Sequence, residues 1–396
     1  MSHRIYITGV GIISAIGTNV QQTLQSIREC TSGVTKIKQL DTIYKDDFIA
    51  GEVNCSNQAL SDLLGGPDKN SYFTRTSLLG TIAAREAFQD AGITDPFDMR
   101  TGIVSASATG GMDKSELYYR DPGKNQFIWA HQVADSTEKI ADYLSITDYA
   151  ATISTACSSS SNAIIFGARL IKHNILDRVL VGGTDALSKF VLNGFRSLMI
   201  LDSEPCRPFD QDRKGLNPGE GAGYLVLESE HAVSRHKKDP LCELAGYANT
   251  NDAFHQSTSS PDGKGAYMAM RKAVKSCGLD VEDIDYVNAH GTGTDSNDLS
   301  EGLALKKIFH PGIPRFSSTK SITGHTFGAA GAIEAVLSVL AIRHRLIYPN
   351  LNFSTPMAEL GFSPVTELIR DVDIKHVLSN AFGFGGNNST LIFSRI

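Results

Sequence analysis

Along the chain, short β-branched runs alternate with longer segments whose apolar residues recur at helical spacing. The runs include Arg4-Ile5-Tyr6-Ile7, Gly102-Ile103-Val104, Arg178-Val179-Leu180-Val181 and Tyr224-Leu225-Val226-Leu227. Between them, Leu79, Ile82, Ala83 and Ala87 share one helical face, and Gly92 supplies a stop. Alternation of this kind predicts an α/β layered fold. The most apolar long stretch, Ala329 to Ile342, is too short to span a bilayer and contains Glu334. It reads as a buried core helix.

The pattern also repeats. Ala87-Phe88-Gln89-Asp90-Ala91-Gly92-Ile93 leads through an acidic linker to Ile103-Val104-Ser105 and a glycine-containing turn. Ala273-Val274-Lys275-Ser276-Cys277-Gly278-Leu279 leads in the same way to Tyr286-Val287-Asn288 and another such turn. A Ser/Thr-rich turn opens a long helix after Cys157, expected to end near Lys172-His173. A similar turn opens one after His325, expected to end near Arg343-His344-Arg345. Each half closes with a strand pair, near Val179 and Leu225 and near Val377 and Leu391. Two copies of one α/β unit fused head to tail explain this. The charged stretch Ser234 to Pro240 places the division between residues 1–238 and 239–396. Cys157 and His325 then occupy matching helix-start positions, which brings both near a pseudo-twofold axis.

Composition narrows the class. In 396 residues, 41% are hydrophobic and 20% charged, the balance of an ordinary globular protein. A net charge of −6 argues against a general nucleic-acid binder and, more weakly, against an anionic membrane surface. The start, Met1-Ser2-His3-Arg4, runs straight into a strand-like segment with no signal-peptide pattern. The six cysteines form no C-x-x-C pair, so free thiols in a reducing cytosol are expected. Gly9-x-Gly11 lacks the third glycine of a dinucleotide fingerprint, since Ser14 stands there, and no phosphate-binding P-loop is present. His290 and His325 lack the local spacing of a zinc site.

Cys157 is the chemically informative residue. It lies in Ser154-Thr155-Ala156-Cys157-Ser158-Ser159-Ser160, between an apolar stretch and a small-residue run able to open a helix. A helix N-terminus helps to lower a thiol pKa, although a lone cysteine is more often a core filler. His290 follows a strand in a Gly/Thr turn, where ligand and catalytic groups collect in α/β folds. Turn hydroxyls satisfying the ring is the competing reading. Lys320 and His325 bracket a second glycine-containing turn, where a lysine is otherwise solvated. Asp298 and Glu301 either suit a helix dipole or pair with Lys320. Phe382-Gly383-Phe384-Gly385-Gly386 is either a backbone N–H site with hinge freedom or a tight turn.

These blocks together resemble the β-ketoacyl-acyl carrier protein synthases of the thiolase superfamily. The resemblance runs over nearly the whole chain. It starts at Ile7-Thr8-Gly9-Val10-Gly11, continues through Thr155-Ala156-Cys157-Ser158, Arg207-Pro208-Phe209-Asp210 and Gly219-Glu220-Gly221-Ala222-Gly223, and includes His290-Gly291-Thr292-Gly293-Thr294 and Ser318-Thr319-Lys320-Ser321. It finishes with Gly324-His325 and Gly383-Phe384-Gly385-Gly386. The fold it implies is the duplicated five-layer α-β-α-β-α thiolase fold, cytoplasmic and usually a homodimer, with no cofactor and no metal. The activity it implies is that of a 3-oxoacyl-acyl carrier protein synthase, an acyltransferase. Cys157 would take an acyl chain from acyl carrier protein, and His290 and His325 would assist decarboxylation of malonyl-acyl carrier protein. Lys320, paired with a carboxylate such as Glu301, would set the local electrostatics. Phe384 would serve as gate and, with Cys157, as backbone oxyanion donor. A basic patch including Arg207 and Lys214 would meet the acidic carrier.

The chain departs from the family pattern at Ala15, at Ser158 to Ser161, at Gly215-Leu216-Asn217-Pro218 and at Leu198 to Asp202. These departures leave the chemistry intact and keep two pathways open, fatty acid synthesis and a specialised polyene or polyketide pathway, in which such a subunit often pairs with a chain-length-factor homologue that lacks the nucleophile. Two other readings compete. A cysteine hydrolase leaves Lys320, the second histidine and the duplication unexplained. A non-catalytic or weakly active chain-length partner would resist acylation at Cys157.

Overall fold

A computed structural model describes residues 4–66 and 71–396; Met1, Ser2 and His3 lie outside the described residues. Five strands of the first half are β1 (Ile5–Ser14), β2 (Thr101–Ala106), β3 (Tyr149–Ile153), β4 (Arg178–Asp185) and β5 (Gly221–Ser229). They lie in the order β3-β2-β4-β5-β1. The second half supplies β6 (Cys242–Asn251), β7 (Tyr286–Asn288), β8 (Arg315–Ser317), β9 (His376–Gly383) and β10 (Asn387–Ser394), in the order β8-β7-β9-β10-β6. Order and strand sense repeat. β2 pairs parallel with β3 and β4, and β5 runs antiparallel to β4 and β1. β7 pairs parallel with β8 and β9, and β10 runs antiparallel to β9 and β6. The expected closing strand pairs are β4–β5 and β9–β10.

The two five-stranded sheets meet only where Tyr6 and Ile7 pair with Glu243 and Cys242. Beyond that point the strands diverge, and the helix α1 (Arg75–Asp90) supplies replacement acceptors. Asp90 takes the Val10 N–H and Glu86 the Ile12 N–H, each at 2.9 Å. The Gly9-x-Gly11 pair makes this approach possible. A Cβ at Gly9 would lie 2.3 Å from the Ala87 carbonyl oxygen, and one at Gly11 2.0 Å from that of Ala83. The motif that resembled a nucleotide fingerprint is a close strand–helix contact.

Further helices complete the layers: α2 (Ala134–Leu144), α3 (Ser159–Lys172), α4 (Lys189–Ser197), α5 (Lys264–Cys277), α6 (Asp295–Phe309) and α7 (Ala330–His344). α1 and α2 cover the outer face of the first sheet, and α5 that of the second, with α6 packed on α5 and sharing its core through Ala304, Leu305 and Ile308. Between the sheets lie α3 and α7, giving the five layers. The α3 and α7 ends fall where the sequence places them, with His173 and Arg345 as C-caps. α7 is apolar nearly all round, and Ala330 through Ile342 are buried, as a helix packed on both sides requires. Its extension Phe327–His344 is long and apolar enough to cross a bilayer, but here it is mostly buried inside the protein. Gly331 lets the central helices cross, since a Cβ there would lie 2.1 Å from Ser161 Oγ. Ser160 Oγ accepts the Ala332 N–H at 2.9 Å across the same crossing.

Candidate active site

Cys157 sits in a tight turn between β3 and α3. Ala156 adopts a left-handed conformation with φ of +52°, which is unfavourable for a residue with a Cβ by about 1–2 kcal/mol. Neighbouring hydroxyls hold it there. The Thr155 N–H donates to Ser159 Oγ at 2.8 Å, and the Ser159 hydroxyl donates to the Ala156 carbonyl at 2.5 Å. The Ser158 hydroxyl donates to the Thr155 carbonyl at 2.8 Å. The serines that depart from the family pattern are therefore buried and engaged in shaping the nucleophile turn and the helix crossing. Gly383 packs against the same turn, where a Cβ would lie 2.9 Å from the Thr155 oxygen. The next residue, Phe384, brings its backbone N–H near enough to the Cys157 sulfur to pull its pKa down.

His290 leaves the end of β7, and its turn is seated on two buried carboxylates of α6. Glu301 accepts the His290 N–H at 2.9 Å, the Gly291 N–H at 2.8 Å and the Asn380 side-chain amide at 3.0 Å. Asp298 accepts the Thr292 N–H at 2.9 Å and the Phe209 N–H at 2.7 Å. Neither carboxylate pairs with Lys320, which corrects that expectation. Lys320 Nζ donates to the His290 carbonyl at 2.6 Å, to His290 Nδ1 at 3.1 Å and to the Glu334 carboxylate of α7. Sequence reasoning met Glu334 only as an interruption of an apolar run. Its signal was available, because a lone carboxylate in a helix buried all round needs a cationic or hydrogen-bonding partner.

The partners on the rings settle their tautomers. A lysine ammonium only donates, so His290 Nδ1 accepts and the ring proton sits on Nε2. His325 Nδ1 accepts the Phe327 N–H at 3.2 Å, which likewise places its proton on Nε2. The two rings lie 5.4 Å apart at 87°. Burial, reinforced by the Lys320 charge, holds both imidazoles well below the usual histidine range, so both are neutral. The His325 backbone is clasped by the departing Asn217-Pro218 segment: its N–H donates to the Asn217 carbonyl, and its carbonyl accepts the Gly219 N–H, both at 2.8 Å.

Cys157, His290, His325 and Phe384 line one cavity of about 150 Å³, whose wall continues through Thr292 and Thr294. A second cavity of about 570 Å³ reaches Cys157 from the other side, walled by Phe190, Val191, Phe195, Leu198 and Phe327. Phe195 borders both and stacks on Phe384 at 6.1 Å. Among the described residues, no group of three or more His, Cys, Asp or Glu side chains could hold a metal ion.

The Cys157 thiol does not lie below its ordinary range. Burial pushes the thiol up to about 12, outweighing the Lys320 charge and the Phe384 N–H, while Asp185 and Glu334 add to the rise. At neutral pH the sulfur is a thiol. Alkylation of Cys157 by iodoacetamide should therefore climb about tenfold per pH unit from 7 to 10. Peptide mass spectrometry at each pH measures it. A plateau near pH 8 would mean that the resting site stabilises thiolate.

The family model described as "Beta-ketoacyl synthase, N-terminal domain" matches residues 2–232, and that described as "Beta-ketoacyl synthase, C-terminal domain" matches residues 241–354. The 3-oxoacyl-[acyl-carrier-protein] synthase 2 of Staphylococcus aureus strain N315 is 33% identical over 411 residues, spanning 99% of this chain and 98% of that protein. The enzyme of the same name from Coxiella burnetii is 34% identical, spanning 99% of each chain. Among solved structures, the ishigamide ketosynthase/chain length factor superposes with a TM-score of 0.92 at 30% identity, covering 100% of this chain and 99% of that one.

Proposed function

Because the chain belongs to the β-ketoacyl synthase family, we propose that it is a 3-oxoacyl-acyl carrier protein synthase with Cys157 as its nucleophile. Decarboxylating condensation of an acyl chain with malonyl-acyl carrier protein is its reaction. The observation that carries the assignment of residues is one cavity shared by a buried thiol and two neutral Nε2–H donors.

In the first half-reaction, Cys157 Sγ attacks the thioester carbonyl of the acyl carrier. The carrier sulfur leaves and takes up the proton that Sγ gives up, so the exchange is neutral overall. The apolar 570 Å³ cavity receives the chain. In the second, malonyl carrier loses carbon dioxide, and its enolate oxygen is held by the His290 and His325 Nε2–H groups. The enolate carbon attacks the Cys157 thioester, whose oxyanion meets the Cys157 and Phe384 backbone N–H groups. Collapse expels the Cys157 sulfur, which takes a proton from solvent. Its high pKa favours that recapture.

Phe384, stacked on Phe195 between the cavities, is the gate in this reading. The carrier would dock near Lys214, which is exposed, more than on Arg207, which is held by Glu204. β3 ends the ladder with an unpaired edge among the described strands, a site for a second subunit's strand. We read the assembly as a cytoplasmic dimer of two-half subunits, 1–238 and 239–396. It is either a homodimer or a pair with a chain-length-factor homologue, as in the ketosynthase/chain length factor it resembles. The inactive-partner reading is not favoured, since the thiol, both histidines and the lysine are all present and assembled.

Incubation with acyl- and malonyl-loaded carrier protein tests the assignment. The expected products are an acyl adduct on Cys157, carbon dioxide and a 3-oxoacyl carrier two carbons longer. Release of free acid without carbon–carbon bond formation would instead identify a hydrolase.

A further inference from the structure

Beyond the rise it adds to the Cys157 pKa, Asp185 has no role in the steps above, yet three segments of the larger cavity converge on it. It ends β4, is wholly buried, and offers its carboxylate to five donors, none of them charged. Oδ1 accepts the Ser107 hydroxyl at 2.6 Å, the Thr109 N–H at 3.0 Å and the Thr109 hydroxyl at 2.9 Å. Oδ2 accepts the Ala108 N–H at 2.9 Å and the Gly328 N–H at 2.7 Å. Ala108 and Thr109 form one wall of the cavity. Gly328 follows Phe327, which forms another, with a left-handed φ of +52° and its ring 5.2 Å from Phe195. A third wall, α4, begins four residues after Asp185 and carries Phe190, Val191 and Phe195. Gly328 fits this contact only as glycine: a Cβ there would lie 2.7 Å from both Ala108 N and Asp185 Oδ2.

We infer that Asp185 is a positioning residue for acyl-chain selection, fixing the Ala108–Thr109, Phe327 and α4 walls against one another around the chain loaded on Cys157. The inference rests on the reading that the 570 Å³ cavity holds that chain. Five donors leave the carboxylate little freedom, so the walls it ties are preorganised rather than shaped by each substrate. Asparagine cannot replace it. An amide offers one oxygen and a donor NH₂ group, and that group would face N–H or O–H donors on whichever side it lies. With the amide nitrogen at the Oδ2 position, the Gly328 N–H would lose its acceptor and the Ala108 N–H would keep only its 3.2 Å contact to Oδ1; with it at Oδ1, the Ser107 and Thr109 donors would lose theirs, and in either case the walls would separate. Thr109 isolates one strand of this argument: its hydroxyl bonds to Asp185, and serine keeps that bond while valine removes it at nearly constant shape.

The experiment offers the protein carrier proteins bearing chains of graded length and reads Cys157 loading by intact mass, with carbon dioxide release from malonyl carrier measured in parallel. Asp185→Asn should lower kcat/KM for loading of the preferred chain by about 100-fold, the scale of a wall displaced by about 1 Å. It should also flatten the preference among lengths. Decarboxylation falls as far as the Phe327 N–H, which sets the His325 tautomer, moves with its wall, so the length profile is the discriminating readout. Thr109→Val should shift the length preference in the same direction, and Thr109→Ser should retain that of the wild type. If Asp185→Asn does not fold, the two Thr109 variants decide: equal length profiles overturn the inference. It is also overturned if a folded Asp185→Asn protein keeps the wild-type profile. Wild-type protein that loads no chain at all overturns the condensing-enzyme reading, and this inference with it.

Discussion

Cys157→Ala should abolish condensation, by roughly 10⁴-fold or more, while leaving decarboxylation of malonyl carrier measurable. The two half-reactions use different groups. Acyl loading requires a sulfur at the end of the strained Ala156 turn, and the other cysteines are not placed to substitute. Cys206, for example, is buried with its sulfur 3.6 Å from the Lys320 carbonyl oxygen, outside the residues lining either cavity. Enolate formation requires only the two imidazole Nε2–H donors, whose tautomers are set by Lys320 and by the Phe327 N–H and not by Cys157. Alanine also preserves the turn, since the Ser158 and Ser159 hydroxyl bonds go to Thr155 and Ala156. Carbon dioxide release and acyl adduct formation, measured on the same preparation, check the separation. Loss of both activities together in a folded variant would mean that the sulfur also positions malonyl carrier, and the division of labour would be wrong.

The layered fold and its duplication were legible because they are written in local periodicity. The ends of α3 and α7 follow from where the apolar spacing stops, and the strand pairs from β-branched runs. The site was legible as far as its residues sit at strand-to-helix turns, which is how Cys157, His290 and His325 could be collected around one cavity with Lys320 behind His290. What could not be read were properties that depend on contact between distant segments. Glu334 lies on a different helix from Lys320, and Glu301, nearer to His290 in the chain, looked the better partner. The Cys157 pKa is governed by how much protein surrounds the sulfur, which helix position alone does not reveal. The serine run looked like a pathway marker because hydroxyl partners such as Ala156 O and Ala332 N are visible only once the turn and the helix crossing are built.

Lys320→Met should reduce carbon dioxide release by about 10³-fold, the scale of losing an oxyanion donor. Without the ammonium, His290 Nδ1 has no imposed acceptor role, so the ring proton is free to move to Nδ1 and leave Nε2 unable to donate. The same change strands Glu334 in the core. Burial has already pushed its carboxyl up to about 7 against the pull of Lys320, and without that pull it rises further and takes up a proton. Breaking a buried pair from one side is typically destabilising by about 3–5 kcal/mol, so part of any loss in Lys320→Met is structural. The double variant Lys320→Met/Glu334→Gln separates the two effects. With no charge left to strand, it should recover most of the lost stability in urea titration but none of the decarboxylation, since the tautomer is still unset. Coupling identifies the partner as well. Lys320 and Glu334 should deviate from additivity by more than 1 kcal/mol in a double-mutant cycle, whereas Lys320 and Glu301→Gln, which unseats the His290 and Gly291 backbone instead, should be closer to additive. The opposite ranking would return Glu301 to the role the sequence first gave it.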